Sequence, residues 1–555
     1  MPRWLVLLAL GWTLSGAVSG CGAFPSPNPA VATFAVDVCV YGATSAGVAA
    51  ALQARDQGLS VLLLDCDGWI GGLTTSGLGA TDVGNKEVIG GIAREFYRRL
   101  RVHYDRPEAW TAEQPQQFRG RGHEPGGDAV WTFEPHVAQA TFAQMLFERG
   151  VQPVRARLDR GPSGIEKRSA RLVSLRCEDG TIVQARMFLD CTYEGDLLAA
   201  AGCDFVVGRE ANAKYGETLN GVQVGNARYH QFTTPVDPYV LPGEPASGLV
   251  RGVEATQAVE DGRGDHRVQA YCFRICATDD PQNRVPWPKP SNYDRRDYEL
   301  LLRHFEAGSK LAPWHAVPMP NRKTDSNNNG AFSTDFLGAN YDYPTADFAT
   351  RERITAAHRR YQQGLLWTLA NDERVPFAVR TEFQRFGLAR DEFQASENWP
   401  PLLYVREARR LVGEGVVTEH HCKGSAQAAD PVGMGAYGMD SHNVRRYAAA
   451  DGTVRNEGDV QVKVGAPYGI SYRAIVPKRA QVQNLLVPVC LSASHIAYGS
   501  VRMEPVFMVL GQSATIAAGL ALELGVAVQD VPYAALRERL LAAGQVLQFA
   551  PTGGD

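Results

Sequence analysis

Ala35-Val36-Asp37-Val38-Cys39-Val40-Tyr41-Gly42-Ala43-Thr44-Ser45-Ala46-Gly47 is the stretch that decides the fold of this chain. Its first seven residues are apolar and β-prone. They stop at a glycine-bearing turn, and a helix-forming run, Val48 to Arg55, follows. A second β-prone segment, Ser60-Val61-Leu62-Leu63-Leu64, then ends in Asp65. Strand, turn, helix and a strand closed by an acid make the βαβ unit that holds a dinucleotide. Gly42 lets the chain leave the strand tightly, and Gly47 lets helix and strand pack closely. The start of the helix points N–H groups and a positive dipole end at a pyrophosphate. Asp65 is placed to accept from ribose hydroxyls. Thr44 stands where the fingerprint has its middle glycine. Its β-carbon narrows the approach to the phosphates, and its hydroxyl can donate to them.

Gly71-Gly72-Leu73-Thr74-Thr75 follows shortly after Asp65. Paired glycines there let the backbone pass close to a bulky ligand, which favours FAD over NAD. The expected binding set is Gly42, Ala43, Thr44, Ser45, Gly47, Asp65, Gly71, Gly72 and Thr192.

Composition sets the outer bounds. The chain has 555 residues, 45% hydrophobic and 21% charged, with a net charge of −4. That is an ordinary globular balance, with core enough for two or three domains. No basic surplus points to nucleic acid or an anionic membrane surface. The N-terminus reads differently. Arg3 precedes an apolar run, Trp4 to Leu14, too short to span a bilayer. Val18-Ser19-Gly20-Cys21 then resembles a bacterial lipoprotein cleavage box. Residues 1–21 are therefore expected to be a lipoprotein signal peptide, with lipid on Cys21 and a tether over 22–32. The expected location is periplasmic or cell-surface, with membrane contact only through the anchor.

The ten cysteines form no disulfide framework and no cluster or zinc spacing, so no metal is expected. Cys272 and Cys276, four apart on an expected strand, are predicted to share a face. His420-His421-Cys422 reads as a loop with incidental polar residues. Further along, His136 to Leu146 predicts a helix and Gln152 to Ala156 a strand. Arg171 to Arg176 and Thr181 to Leu189 predict a hairpin around Asp179-Gly180. The last strand runs into Asp190-Cys191-Thr192-Tyr193-Glu194-Gly195-Asp196, which places that loop at the carboxyl edge of the sheet. Asn484 to Cys490 predicts a buried strand and Leu491 to Arg502 a polar loop. Pro505 predicts the start of a helix over Val506 to Leu524, seamed with small residues. Its N-terminus is expected to face the flavin ring.

Five motifs together carry a resemblance. They are Asp37 to Gly47, Gly-Gly-Ile-Ala-Arg-Glu-Phe-Tyr (90–97), Asp-Cys-Thr-Tyr-Glu-Gly-Asp-Leu (190–197), Tyr-Val-Arg-Glu-Ala-Arg-Arg (404–410) and Ser-His-Ile-Ala-Tyr-Gly-Ser-Val-Arg-Met-Glu-Pro (494–505). With them the chain resembles the FAD-dependent oxidoreductase family, often labelled xanthan lyase-like. That family is related to the flavin part of heterodisulfide reductase. The resemblance implies an α/β, Rossmann-type FAD-binding domain of the glutathione-reductase-like flavoprotein fold, with extended FAD and redox activity. The cysteines of the family's iron–sulfur annotation are missing from this sequence.

The expected map has FAD-domain segments at 33–205 and 466–530, and a C-terminal helix and tail over 531–555. A large inserted α+β substrate region spans 206–465. It is rich in aromatic and polar stretches read as loops, among them Pro286-Trp287-Pro288, Lys323 to Gly330 and Tyr341 to Pro344. Such loops suit a sugar-like small molecule. The expected chemistry is hydride transfer to flavin N5, passed on to an electron acceptor that the sequence does not name. His495 is the first expected base. Arg502 is expected to hold an anion, Glu504 to orient Arg502, and Asp440 with His442 to form a second acid/base pair. Two other function classes remain open at this stage. One is a flavin-containing lyase or isomerase without net redox; the other is a carbohydrate-binding lipoprotein with a degenerate nucleotide site.

Overall fold

Both ends of the chain contribute strands to one central sheet. The structure is a computed structural model, and it describes residues 32–255 and 260–549. The expected signal sequence, Cys21, nearly all of the tether and the last residues of the tail lie outside the described residues. β1 (Thr33–Tyr41), α1 (Ser45–Asp56) and β2 (Val61–Asp65) form the expected βαβ unit. Val38 to Tyr41 are buried, as a parallel strand covered on both faces requires. β1 pairs in parallel with β2, Val38 opposite Val61. α2 (Gly91–Tyr104) and α3 (Pro135–Glu148) follow, and then β3 (Val154–Arg155) pairs with β2. β4 (Ile165–Arg168), β5 (Arg171–Arg176) and β6 (Ile182–Asp190) form an antiparallel run. β6 lies parallel to β1, with Asp190 opposite Tyr41. The order is β3-β2-β1-β6-β5-β4, and the late strand Leu485–Leu486 pairs in parallel with the end of β6. The carboxyl ends of β1, β2, β3 and β6 therefore meet at one edge.

The helix Glu504–Leu524 lies against α1. It is long and apolar enough to cross a membrane, yet 94% of that stretch is buried inside the protein. Small residues make the seam: a β-carbon on Gly511 would fall 2.3 Å from the Ala46 carbonyl oxygen. Thr515 Oγ1 donates across the same seam to the Ala50 carbonyl, 3.2 Å away. The helix begins at Glu504, two residues before the expected start. The polar loop expected over 491–502 contains a helix, His495–Val501, whose seven residues are all buried. Gly499 and Ser500 weaken its local propensity. The Ser494 cap, which accepts from the N–H of Ala497 at 3.4 Å, and the surrounding packing override that weakness.

A second, antiparallel sheet stands in the 206–465 region. Its order is Trp314–Met319, Lys323–Asn328, Ile275–Thr278, Gly387–Ala389 and Arg284–Val285. The expected loop at Lys323 is thus a strand between two partners. Its polar side chains are buried and partnered rather than solvated: Asp325 takes two hydrogen bonds from Arg274, at 2.8 and 2.7 Å, and one from the Ala80 N–H at 3.0 Å. Cys272 and Cys276 do not share a face. The strand begins only at Ile275, and the two thiols pack in separate apolar clusters. His420 to Cys422 form a short helix rather than a loop, with His421 closing a capping box on Thr418.

Gly511 supplies a stability test. Gly511→Ala is expected to force the helix Glu504–Leu524 off α1 and to destabilise the protein by about 1–3 kcal/mol, as overpacking a tight core seam does. Thermal unfolding of wild type and variant, each saturated with FAD, measures the loss. An unchanged midpoint would mean that the helices do not meet at this glycine.

Candidate active site

The turn between β1 and α1 is closed by its own side chains. Gly42 has φ +102°, open only to glycine, and a β-carbon on Gly47 would lie 1.9 Å from the Gly42 carbonyl oxygen. Thr44 is the N-cap of α1. Its Oγ1 accepts from the N–H of Gly47 at 3.3 Å and donates to the Cys191 carbonyl at 2.7 Å. Its hydroxyl is therefore spent within the protein and is not a phosphate donor. Ala43 accepts the Gly71 N–H through its carbonyl, at 2.8 Å. Gly71 and Gly72 both have positive φ, but what they make room for is protein. A β-carbon on Gly72 would lie 2.2 Å from the Tyr193 hydroxyl, and one on Gly71 would lie 2.5 Å from Thr75.

Glu504 is the centre of this cradle. Its Oε2 accepts from Ser45 Oγ at 2.6 Å and Thr74 Oγ1 at 2.8 Å, and its Oε1 accepts from Tyr193 Oη at 2.8 Å. Burial pushes its pKa up against the pull of these hydrogen bonds. It makes no contact with Arg502, so its expected orienting role is corrected. It joins the start of its own helix to the start of α1.

A cavity of about 460 Å³ opens at the carboxyl edge, lined by Tyr41, Cys66, Arg155, Thr192 and Tyr193 from the ends of β1, β2, β3 and β6. Asp65 stands beside it. Oδ1 accepts from the N–H groups of Gly68 and Trp69, at 2.7 and 3.1 Å, while Oδ2 makes no hydrogen bond within the described residues. Thr192 Oγ1 donates to Asp190 Oδ1 at 2.6 Å and accepts from the Gly195 N–H at 3.0 Å. It shapes the cavity wall rather than reaching into it. A free carboxylate oxygen next to a ring-sized space at this edge fits the adenosine half of FAD.

Four acids line the cavity, among them Asp67, Glu194 and Asp196, and these three differ. Asp196 is gripped by Arg351 at 2.6 Å and Arg409 at 2.9 Å, which outweigh burial and hold its pKa low. Asp67 and Glu194 have no such grip. Burial, and then the nearby negative charge, raises both. Carboxyls raised in this way stabilise the folded state at acidic pH, and that stability is lost as pH rises through their folded pKa values.

A second cluster lies on the other side of residue 503. Arg502 donates from Nη1 to the Tyr404 hydroxyl at 2.7 Å, and its Nη2 is 3.5 Å from Asp440 Oδ2. His442 Nδ1 is 2.8 Å from Asp335 Oδ2, and its Nε2 is 3.6 Å from Asp440 Oδ2. Arg406 holds the other oxygen of Asp335 at 2.9 Å. For His442, burial and then Arg406 oppose the charged form, but Asp335 and Asp440 outweigh them and raise its pKa. Asp440 stays ionised: burial opposes this, but His442 and Arg502 bring its pKa down to about 2. At the rim, Asp82 is the largest cause of the raised Tyr437 pKa.

The structure thus brings Arg502, Asp440 and His442 together. His495 is not with them. It is 2% exposed, with Nδ1 2.9 Å from Glu407 and Nε2 3.3 Å from Ser441 Oγ, so both ring nitrogens are engaged inside the protein. Sequence reasoning missed Asp335, Asp82 and Gln269, whose Oε1 accepts from the His442 N–H at 3.1 Å and from Arg502 Nη2 at 3.4 Å; none of them carries a motif. Tyr404 and Arg406 lay within a quoted motif but had no assigned role.

One group among the described residues has the ligand types of a metal site: Glu134, His136, Asp391 and Glu392. The ammonium of Lys323 sits among its carboxylates, 2.9, 2.7 and 2.7 Å from Glu134, Asp391 and Glu392, and supplies their positive charge.

Two tests follow from these sites. Glu504→Ala leaves three buried hydroxyls without their acceptor. It should weaken FAD retention at least tenfold on dialysis and lower stability by about 2–4 kcal/mol, while Glu504→Gln, which keeps an acceptor, loses less. Retention equal to wild type in Glu504→Ala would remove the acid from the cradle. In FAD-free protein, the unfolding midpoint should fall as pH rises from the ordinary carboxylate range towards neutrality. Glu194→Gln should flatten that fall, and an identical pH profile would contradict the assigned charge state.

The family described as FAD dependent oxidoreductase matches residues 37–540. No curated protein sequence is significantly similar to the chain. Among solved structures, a flavin-containing monooxygenase from Stenotrophomonas maltophilia aligns at 18% identity and TM-score 0.18, over 28% of this chain and 38% of its own. The L-amino acid deaminase from Proteus vulgaris aligns at 14% identity and TM-score 0.23, over 34% and 55%. THI4 from Thermovibrio ammonificans aligns at 16% identity and TM-score 0.23, over 33% and 71%. The chain spans well under two thirds of the first of these. The family match extends through the βαβ unit, both polar clusters and the C-terminal helix: this chain belongs to the FAD dependent oxidoreductase family, with FAD as its cofactor.

Proposed function

We propose that this chain is a dehydrogenase or oxidase that takes a hydride from a polar substrate, a carbohydrate or polyol, outside the cytoplasm. The observation that carries the reading is the junction at residues 502–504. Arg502 turns into the cluster with Tyr404, Asp440 and His442, and Glu504 turns into the cradle with Ser45, Thr74 and Tyr193. Two residues of chain span at most about 7 Å. A substrate held by Arg502 therefore lies alongside the bound cofactor.

FAD, when bound, supplies a hydride acceptor at N5. The protein supplies the rest. Tyr404 and Arg502 orient the substrate, and Asp82, Tyr437 and Asp440 offer partners to its hydroxyls. Neutral His442 takes the hydroxyl proton at Nε2, steadied through Nδ1 by Asp335, and Asp440 stabilises the imidazolium that forms. The 206–465 region serves as the substrate region, since it contributes Tyr404, Asp440 and His442. The export reading rests on residues 3–21, with Cys21 as the lipid-bearing residue. Mass spectrometry of the mature N-terminus tests it: an uncleaved N-terminus would reject export, and an unmodified Cys21 would reject the lipid anchor.

The first experiment is the visible spectrum of purified protein incubated with FAD and desalted, followed by anaerobic titration with sugars and polyols. Retained flavin bands that bleach with one of them support the reading. A protein that keeps FAD but bleaches with none rejects the substrate class. Arg502→Met should raise KM about 10–100-fold with FAD content unchanged. With the His442 pKa raised, the base is off below it. Activity should therefore climb as pH rises past the ordinary histidine range, and His442→Gln should abolish the climb.

A further inference from the structure

Nine arginines are buried among the described residues, and eight of them have a carboxylate within 4.0 Å. The exception is Arg446. It is 4% exposed. Its Nε donates to Asn456 Oδ1 at 3.1 Å and its Nη2 to the Ala331 carbonyl at 2.9 Å. Nη1 has no acceptor among the described residues and lies on the side of Gly252, 3.7 Å from where a β-carbon there would sit. A guanidinium taken out of water without a counter-charge is costly. The Phe332 ring, 4.8 Å from it, returns only a small part of that cost. Burial brings the pKa of Arg446 down to about 10, which still leaves it charged at neutral pH.

Arg446 and Gly252 line a cavity of about 400 Å³ whose walls include Phe332, Phe336 and Tyr361. Phe336 and Tyr361 are stacked, with centroids 4.1 Å apart and planes 3° apart. The two acids on the lining are already neutralised: Glu254 by Arg267 at 2.8 Å, and Asp297 by Arg251 and Arg360, each at 2.8 Å. The charge left over in the cavity is therefore the positive charge of Arg446. The site is separate from the polar cluster. Phe336 follows Asp335 in the chain, and Asp335 is turned to His442.

We propose that this cavity binds a small carboxylate carried on a six-membered ring, with the carboxylate on Arg446 and the ring against the aromatic walls. The proposal is independent of the reaction assigned above. Such an anion supplies the missing counter-charge and two acceptor oxygens for a fork-shaped donor, and the flat walls take a ring face. A 400 Å³ space has room for a ring-sized ligand.

The test is calorimetric titration of the FAD-loaded protein with benzoate and with glucuronate, each beside a neutral isostere, benzamide and methyl glucoside. One of the two anions is expected to saturate and its isostere to bind at least tenfold more weakly. Benzoate would identify an aromatic acid as the ligand, and glucuronate a sugar acid. Arg446→Met should abolish the anion preference, leave the flavin spectrum unchanged and raise the ligand-free unfolding midpoint, because a buried unpaired charge is removed. If neither anion saturates, or if anion and isostere bind alike in wild type, the proposal is overturned, whether or not the variant folds. Equal anion binding by wild type and Arg446→Met would also overturn it.

Discussion

One buried carboxylate holds the cofactor end of this protein together. Glu504 is the common acceptor for Ser45, Thr74 and Tyr193, which lie 459, 430 and 311 residues away in the chain. Each hydroxyl belongs to a different segment: the start of α1, the turn after β2 and the loop after β6. The acid also sits in the first turn of its own helix, where the N–H groups favour negative charge. Burial works the other way and raises its pKa. The balance is kept by the three hydrogen bonds, and so the positions of the three segments depend on one another. The glycines at 42, 47 and 72 let backbone and ring come close enough for that geometry.

The 206–465 region is fastened to the sheet by ion pairs as well as by apolar contact. Arg351 grips Asp196 just after β6, Arg274 grips Asp325, whose other partner is the N–H of Ala80, and Lys323 binds Glu134 at the start of α3. Buried pairs of this kind add little net stability, but losing one partner costs about 3–5 kcal/mol. They therefore set position more than they add strength. Arg502, whose helix leads into the sheet domain, meets Tyr404 and Asp440 because that position is fixed.

The sequence made the nucleotide half legible and the substrate half only in part. Strand, turn, helix and acid at 35–65 are consecutive, so their pattern survives in a linear reading. The helix seam at Gly511 was visible for the same reason. Thr44 and Glu504 were misjudged because their partners are remote: Cys191 for one, Ser45 and Tyr193 for the other. Lys323 to Asn328 looked like a loop because its residues are polar, and only the buried partners of Asp325 and Lys323 make it a strand. His495 was expected as a base because its segment was read as a loop approaching the flavin, whereas a capped helix encloses it. Asp335 and Gln269 were invisible because no spacing links them to His442.

The sheet is assembled from the two ends of the chain, and this has a consequence for the nascent protein. β6 finds its parallel neighbour at Leu485–Leu486, and α1 finds its covering helix only at Glu504–Leu524. A growing chain therefore carries an apolar α1 without its cover through most of translation. The nucleotide cradle cannot close until nearly the last tenth of the polypeptide is available. Flavin capture thus waits for the helix Glu504–Leu524, and a truncation that removes this helix removes the cofactor site with it.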